Sequence, residues 1–358
     1  MQLGLYVDAH LGIGPAARAA EEAGFSHLWV YDSPLLFADV YMACLEAARA
    51  TSRIAVGPGV TTPRSRPAFA TAQALGTLAV AAPGRVVLGI GIGNSARWSL
   101  GMQPSTLAEL HEAVGQIKEL LGGHSTVWRE GERAQAIRFI HAEGRWLDLA
   151  APVPVWVSAF GPKGQRLAGG DADGVLVRWE GEAALAAVRE RVRAGAEEAG
   201  RSPAAVKIGV VFAVYPIESD AELETPLARE NLGPLVVSRL RYLTANHSSA
   251  DEVPERFRAG FTAYQRHRAG LDAETRHLEN YLGYLVFTPE HLEEFVTPES
   301  MRTVCHVGSP AEVAAELQRM ADAGVDHVSL QLSGDVRPFC GRMGASVLPL
   351  VTGGRGRG

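Results

Sequence analysis

The chain has 358 residues, 47% of them apolar and 21% charged, which excludes wholesale disorder. Its 34 Lys and Arg against 40 Asp and Glu leave a net charge of −6, which argues against a nucleic-acid or anionic-membrane surface as its main business. A length prior gives about two domains, but α/β barrels run to about 250 residues as one, leaving about 108 residues to place.

Along the chain a short apolar run, a turn and an amphipathic segment recur. Residues 3–7 predict a first strand. Residues 15–23 predict a helix with Pro15 at its start and Gly24 just past its end. A second strand is expected over 27–31 and a helix over 38–50; a third strand over 54–60 and a helix over 67–81. Pro83-Gly84 marks a turn before a fourth strand over 86–90, and a Ser-x-x-x-Glu start opens a helix over 105–121. The pattern continues with strands over 153–158 and 174–177, each followed by a helix, over 162–168 and 182–199. A seventh strand spans 206–214, and Ser309-Pro310 opens its helix, to 323. The eighth strand covers 325–330 and a last helix runs to about residue 350. Most of these strands are Val, Ile and Leu without polar alternation, as strands buried on both faces should be. Eight βα units favour a closed (β/α)8 TIM barrel over an open doubly wound sheet.

Two segments fall outside the repeat. Residues 124–152 contain an alternating stretch around Glu143-Gly144, read as a β-hairpin laid over the barrel. Residues 219–300 are long, charged and helical in pattern, and lie between the seventh strand and its helix. Together they account for the excess, so residues 1–351 read as one decorated barrel with a lid over one face. The tail 352–358, with the basic run Arg355-Gly-Arg-Gly, is expected to be disordered.

Cys44, Cys305 and Cys340 are far apart and form no CxxC, which fits a reducing cytoplasm. No apolar run reaches about 18 residues, so no membrane span is expected, and residues 1–7 enter a strand pattern directly, without the profile of a signal peptide.

A barrel places its site at the C-terminal ends of the strands. Asp8 follows the first strand and Asp32-Ser33 the second; two acids facing one pocket suit acid/base work, or serve as strand-end caps. Gly89-Ile-Gly-Ile-Gly-Asn94 is not a dinucleotide fingerprint, because Asn94 stands where the third glycine belongs. Those glycines are either tight turns or backbone that lets a flat ring approach. Ser158-Ala-Phe-Gly-Pro-Lys163 opens a helix, either as a plain turn or as an anion site at the helix N-terminus. Arg178-Trp179-Glu180 ends the sixth strand. Neither G-x-S-x-G nor HExxH occurs, so no serine hydrolase and no metal site is expected. His10 and His27 lie near early strands and read as structural.

The stretches Gly57-Pro-Gly-Val-Thr-Thr-Pro-Arg-Ser-Arg-Pro67, Pro83-Gly-Arg-Val-Val-Leu-Gly-Ile-Gly-Ile-Gly93, Val153-Pro-Val-Trp-Val-Ser-Ala-Phe-Gly-Pro-Lys163, Ala172-Asp-Gly-Val175 and Val307-Gly-Ser-Pro310 occur in one order along the chain. In this order they resemble the luciferase-like monooxygenase superfamily, especially its coenzyme-F420-dependent branch, with Gly57–Pro63 most similar to methylene-tetrahydromethanopterin reductase. The resemblance implies a (deaza)flavin ring across the strand ends and a non-prolyl cis peptide at Gly59–Val60 behind it. It assigns Gly91, Gly93 and Asn94 to ring contact and Ala159, Phe160, Gly161, Pro162 and Lys163 to the cofactor phosphate; Ser158, at the strand end before them, is a further cofactor-binding candidate, and Asn94 and Thr61 are candidates for polar contacts to the ring. It also implies a homodimer.

The chain departs from the family's dehydrogenases where they carry Asp-His, because Ser33 follows Asp32 here. Asp32 and Asp8 are therefore the candidates for proton handling or substrate orientation. The expected activity is hydride transfer between coenzyme F420 and a small organic substrate. An FMN-dependent monooxygenase of the same fold, and a non-catalytic barrel that binds a small molecule or a partner, are the alternatives.

Overall fold

The computed structural model describes residues 1–142 and 145–351. Eight parallel strands form the central sheet: β1 (Gln2–Val7), β2 (His27–Val30), β3 (Ala55–Pro58), β4 (Leu88–Gly91), β7 (Val155–Ser158), β8 (Gly174–Arg178), β9 (Lys207–Phe212) and β12 (His327–Leu330). The intervening labels belong to two small sheets: β5 (Thr126–Glu130) with β6 (Arg133–Ile137), and β10 (Val214–Pro216) with β11 (His306–Gly308). The strand order β3-β2-β1-β12-β9-β8-β7-β4 is that of a (β/α)8 barrel opened between β3 and β4. That seam closes through parallel bridges Val56–Val86 and Thr61–Ile90, with Thr61 N–H donating to Gly89 O at 3.0 Å and Gly91 N–H to Thr61 O at 2.9 Å.

The helices begin where the local chemistry directs. Asp39 caps the helix Val40–Ala50 through the amides of Tyr41 and Met42. The helix expected from residue 105 starts at Leu107 instead, because Thr106 and Glu109 make the capping box. Ser309 and Glu312 make another at Pro310–Asp322. A five-residue helix, Asn94–Trp98, directly after β4, was not expected from the sequence; Gly93 reaches it through a left-handed φ of 77°.

The barrel interior carries Trp29, Trp156 and His327, all buried, with glycines opposite them at positions 4 and 174. One apolar core extends from the barrel into the helices around it, and a small satellite of Leu243, Val253, Phe257 and Phe261 sits within the long insertion.

The two insertions lie in different places. The turn expected at Glu143-Gly144 lies outside the described residues; a hairpin that was not expected forms just before it, over 126–137, turning at Gly131-Glu132. It does not cover the strand ends. Gln116 Nε2 donates to Val127 O at 2.8 Å, Trp128 packs edge-on against Phe69, and Asp148 N–H donates to Gly76 O, so the described part of 124–152 lies against the outer helices. The second insertion leaves after β10 and returns at β11, and these two strands pair in parallel at its base. Its long helix, Pro226–Asn246, is anchored to the loop after β12 by Asn231 Nδ2 donating to Ser333 O at 2.6 Å. Arg241, buried, donates to the Tyr264 hydroxyl and to Leu282 O and so joins three segments of the insertion. The expected tail, 352–358, lies outside the described residues. No helix among the described residues is long and apolar enough to cross a membrane.

Candidate active site

A cavity of about 890 Å³ opens between the C-terminal ends of the barrel strands and the 219–300 insertion. Its floor is built at the β3–β4 seam. The Gly59–Val60 peptide is cis, as expected, and Val60 lines the cavity. A Cβ at Gly89 would stand 2.5 Å from Pro58 O and 2.8 Å from Val60 Cγ1, so β4 can pass beneath the β3 end only as glycine there. At Gly91 a Cβ would meet Ser158 O at 3.3 Å and Val60 Cγ2 at 3.4 Å. The result is a bare backbone surface with Val60 standing on it.

On one side, Gly161 precedes the helix Pro162–Asp171, with Pro162 in its first turn. Ser158, Ala159, Phe160, Gly161, Pro162 and Lys163 all line the cavity, so backbone N–H groups of a helix N-terminus and a lysine face one space. Across the mouth are Asp32 and Ser33. Ser33 Oγ lies 3.3 Å from Ser95 Oγ. Asp32 is buried, and its Oδ2 has no hydrogen-bond partner among the described residues. Burial pushes its carboxyl above the ordinary range, against the opposing pull of the Thr61 hydroxyl and Arg66.

Gly59, Gly93 and Asn94 also line the cavity. The two remaining candidates do not. Thr61 is buried in the wall, because its backbone carries the seam hydrogen bonds. Asp8 is half-buried where the chain leaves β1 and is not among the lining residues, so only Asp32 of the two acids faces the cavity.

Several lining residues escaped sequence reasoning. Tyr6 and Tyr31 stack at 5.2 Å, and Gln331 Nε2 donates to the Tyr31 hydroxyl at 2.8 Å. Tyr31 directly precedes Asp32, so reading one residue earlier at that strand end finds it. His306 on β11 lines the cavity with its Nε2 buried and without a hydrogen-bond partner among the described residues. Arg239, Tyr242 and Tyr284 complete the upper wall beside Arg178, the residue already noted at the end of the sixth strand; these three come from the insertion, where no repeat marks them.

These strand-end features sit within a long family match. The model of the luciferase-like monooxygenase family matches residues 13–327. The chain belongs to that family. Among its relatives, a 5,10-methylenetetrahydromethanopterin reductase from Methanolobus tindarius is 34% identical over 218 residues, covering 60% of this chain and 64% of that protein. The corresponding Archaeoglobus fulgidus reductase is 30% identical over 59% of this chain and 62% of its own length, so each match spans less than two thirds of the relative. An F420-dependent glucose-6-phosphate dehydrogenase from Kineococcus radiotolerans is 27% identical over 94% of this chain and 91% of that one. The luciferase-like fold extends to the solved coenzyme-F420-dependent tetrahydromethanopterin reductase of Methanopyrus kandleri, at a TM-score of 0.69, 20% identity and coverage of 97% and 98% of the two chains.

Proposed function

We propose that this protein is an F420-dependent oxidoreductase that transfers a hydride between coenzyme F420 and a small organic substrate. The observation that carries this reading is the cavity floor: the cis Gly59–Val60 peptide places Val60 in the cavity beside Gly91 and Gly93, where backbone without side chains faces the space. The F420-dependent activity named for the Kineococcus radiotolerans relative supports the same reading.

The residues present fit such a cofactor. Val60, Gly91 and Asn94 would hold the ring, and the amides after Gly161 with Lys163 would hold its phosphate. When bound, the deazaflavin supplies the hydride acceptor or donor. The protein's part is to orient and enclose. Val60 would back the ring, the insertion would close the cavity to water, and Asp32 would orient the substrate or exchange its proton at the unpaired Oδ2. The same reading takes residues 1–351 as one decorated barrel, acting in the cytoplasm as a homodimer, the last on family grounds alone.

Titration of the purified protein with F420 and, separately, with FMN tests this. Saturable F420 binding with weaker FMN binding is the expected result. Tight FMN binding without F420 binding would overturn it in favour of a flavin monooxygenase, and binding of neither would favour a non-catalytic barrel.

A further inference from the structure

Six side chains at the upper wall of the cavity form an alternating ladder of aromatic rings and guanidinium groups. Arg178 Cζ lies 4.5 Å from the Phe160 ring centroid and 3.9 Å from that of Tyr242. Arg239 lies 5.9 Å from Tyr242 and 4.8 Å from Phe257, and Arg256 5.1 Å from Phe257. Phe160 and Arg178 come from neighbouring barrel strand ends, Arg239 and Tyr242 from the helix Pro226–Asn246, and Arg256 and Phe257 from the helix Glu255–Ala269. All six line the cavity.

The charge in this ladder is unmatched. Among the described residues, none of the three guanidiniums makes a hydrogen bond or an ion pair, although each carries five N–H donors. Other arginines of this chain do find acids: Arg229 pairs with Glu293, Arg342 with Glu222, and Arg302, also at the cavity rim, with Asp220. Arg178 and Arg256 are each close enough to Arg239 to repel it. Arg239 is lowered to about 10, chiefly by burial, with Arg178 and Arg256 adding and Tyr242 and the exposed Glu180, which is paired to none of the three, opposing. Stacking fixes the planes of the guanidiniums without using their donors. Cations held together with free donors and fixed planes suit a multiply charged oxyanion. A purely structural clamp of the insertion onto the barrel would gain nothing from bringing three like charges together.

We propose that Arg178, Arg239 and Arg256 form an anion receptor in the roof of the cavity, taking a phosphate or carboxylate group of the bound ligand. Its position is set by topology. β8, which ends in Arg178, is four strands from β2 around the barrel, so the receptor stands across the mouth from Asp32. The bound ligand is thus anionic at one end and meets a lone carboxyl at the other. This extends the F420 reading, and the anion can belong either to the substrate or to the acidic phosphate-bearing tail of the cofactor.

Calorimetric titration of the full chain with inorganic phosphate and pyrophosphate tests the receptor without a cofactor. Saturable binding to the wild type, weakened about tenfold in Arg239→Gln and in Arg256→Gln, is the expected result. Arg256 is exposed, so its variant remains informative should Arg239→Gln fail to fold. An absence of saturable binding to the wild type, or equal binding to the wild type and a folded variant, would overturn the proposal. Titrating F420 and a tail-free deazaflavin into Arg256→Gln then separates the two sources. Loss of affinity for F420 alone assigns the anion to the cofactor, unchanged affinity for both assigns it to the substrate, and either outcome upholds the receptor. Phosphate binding without F420 binding would uphold the receptor and overturn the F420 reading.

Discussion

Trp29 Nε1 on β2 donates a 3.0 Å hydrogen bond to His327 Nε2 on β12, crossing the intervening strand β1 at Gly4. A Cβ at residue 4 would stand 2.7 Å from Trp29 Nε1 and 2.8 Å from His327 Nε2. Both rings are fully buried, so neither has solvent to move into. Gly4→Ala should therefore cost about 1–3 kcal/mol, the range for overpacking a dense core. Urea unfolding measures it; an unchanged midpoint would mean that the interior relaxes around the methyl group.

The same interior makes the fold sensitive to acid. Burial, with Lys207 adding, lowers His27 from its ordinary 6.5 to about 4. Burial also holds His327 well below its ordinary value, with His27 and Lys207 adding. Both imidazoles are neutral in the folded state, and the unfolded chain protonates them below about pH 6.5. Stability is therefore fully present above pH 6.5 and falls as the pH drops toward 4, by about 3 kcal/mol at pH 4 from His27 alone. Urea midpoints at pH 7 and pH 5 should fall more steeply for the wild type than for His27→Asn, and parallel curves would rule out this source.

The barrel was legible because its strands are buried on both faces and read as unbroken apolar runs, and its closing glycines were legible because close approach admits no other residue. The place of 124–152 was misjudged, although topology decides it. A segment between a helix and the next strand emerges at the N-terminal face, away from the strand ends, whereas 219–300 follows a strand and emerges over the site. Asp32 could be found because it sits at a strand end, and Lys163 because it opens the helix that follows one. The ladder through Arg178, Tyr242, Arg239 and Phe257 could not, because it joins three segments whose meeting is set by tertiary packing.

Lys163 stands in the first turn of the helix Pro162–Asp171 and lines the cavity beside Gly161. If it contacts the cofactor phosphate through a charge-assisted hydrogen bond, Lys163→Ala should weaken F420 binding about tenfold. Affinity for a tail-free deazaflavin, which lacks the phosphate, should not change. Fluorescence titration of both ligands reads the difference, and an unchanged F420 affinity would remove Lys163 from the phosphate site.

Asp32 should set function against stability. Its carboxyl is buried with Oδ2 unpartnered, and its pKa is raised chiefly by that burial. A raised carboxyl in the folded state means that the unfolded chain holds the ionised form more easily. The folded protein is thus penalised at neutral pH, and the penalty disappears as the pH falls below the ordinary carboxyl value. Asp32→Asn keeps the shape and removes the charge, so it should raise the Tm at pH 7, with the gain shrinking toward pH 3. Turnover should fall by about 10²- to 10⁴-fold if Asp32 handles the proton, while F420 affinity is retained. Thermal melts across pH and steady-state turnover with a reacting substrate read the two effects separately. A variant that is less stable at pH 7 would show that Asp32 is a structural cap, and one that turns over like the wild type would show that the reaction needs no carboxyl at the end of β2.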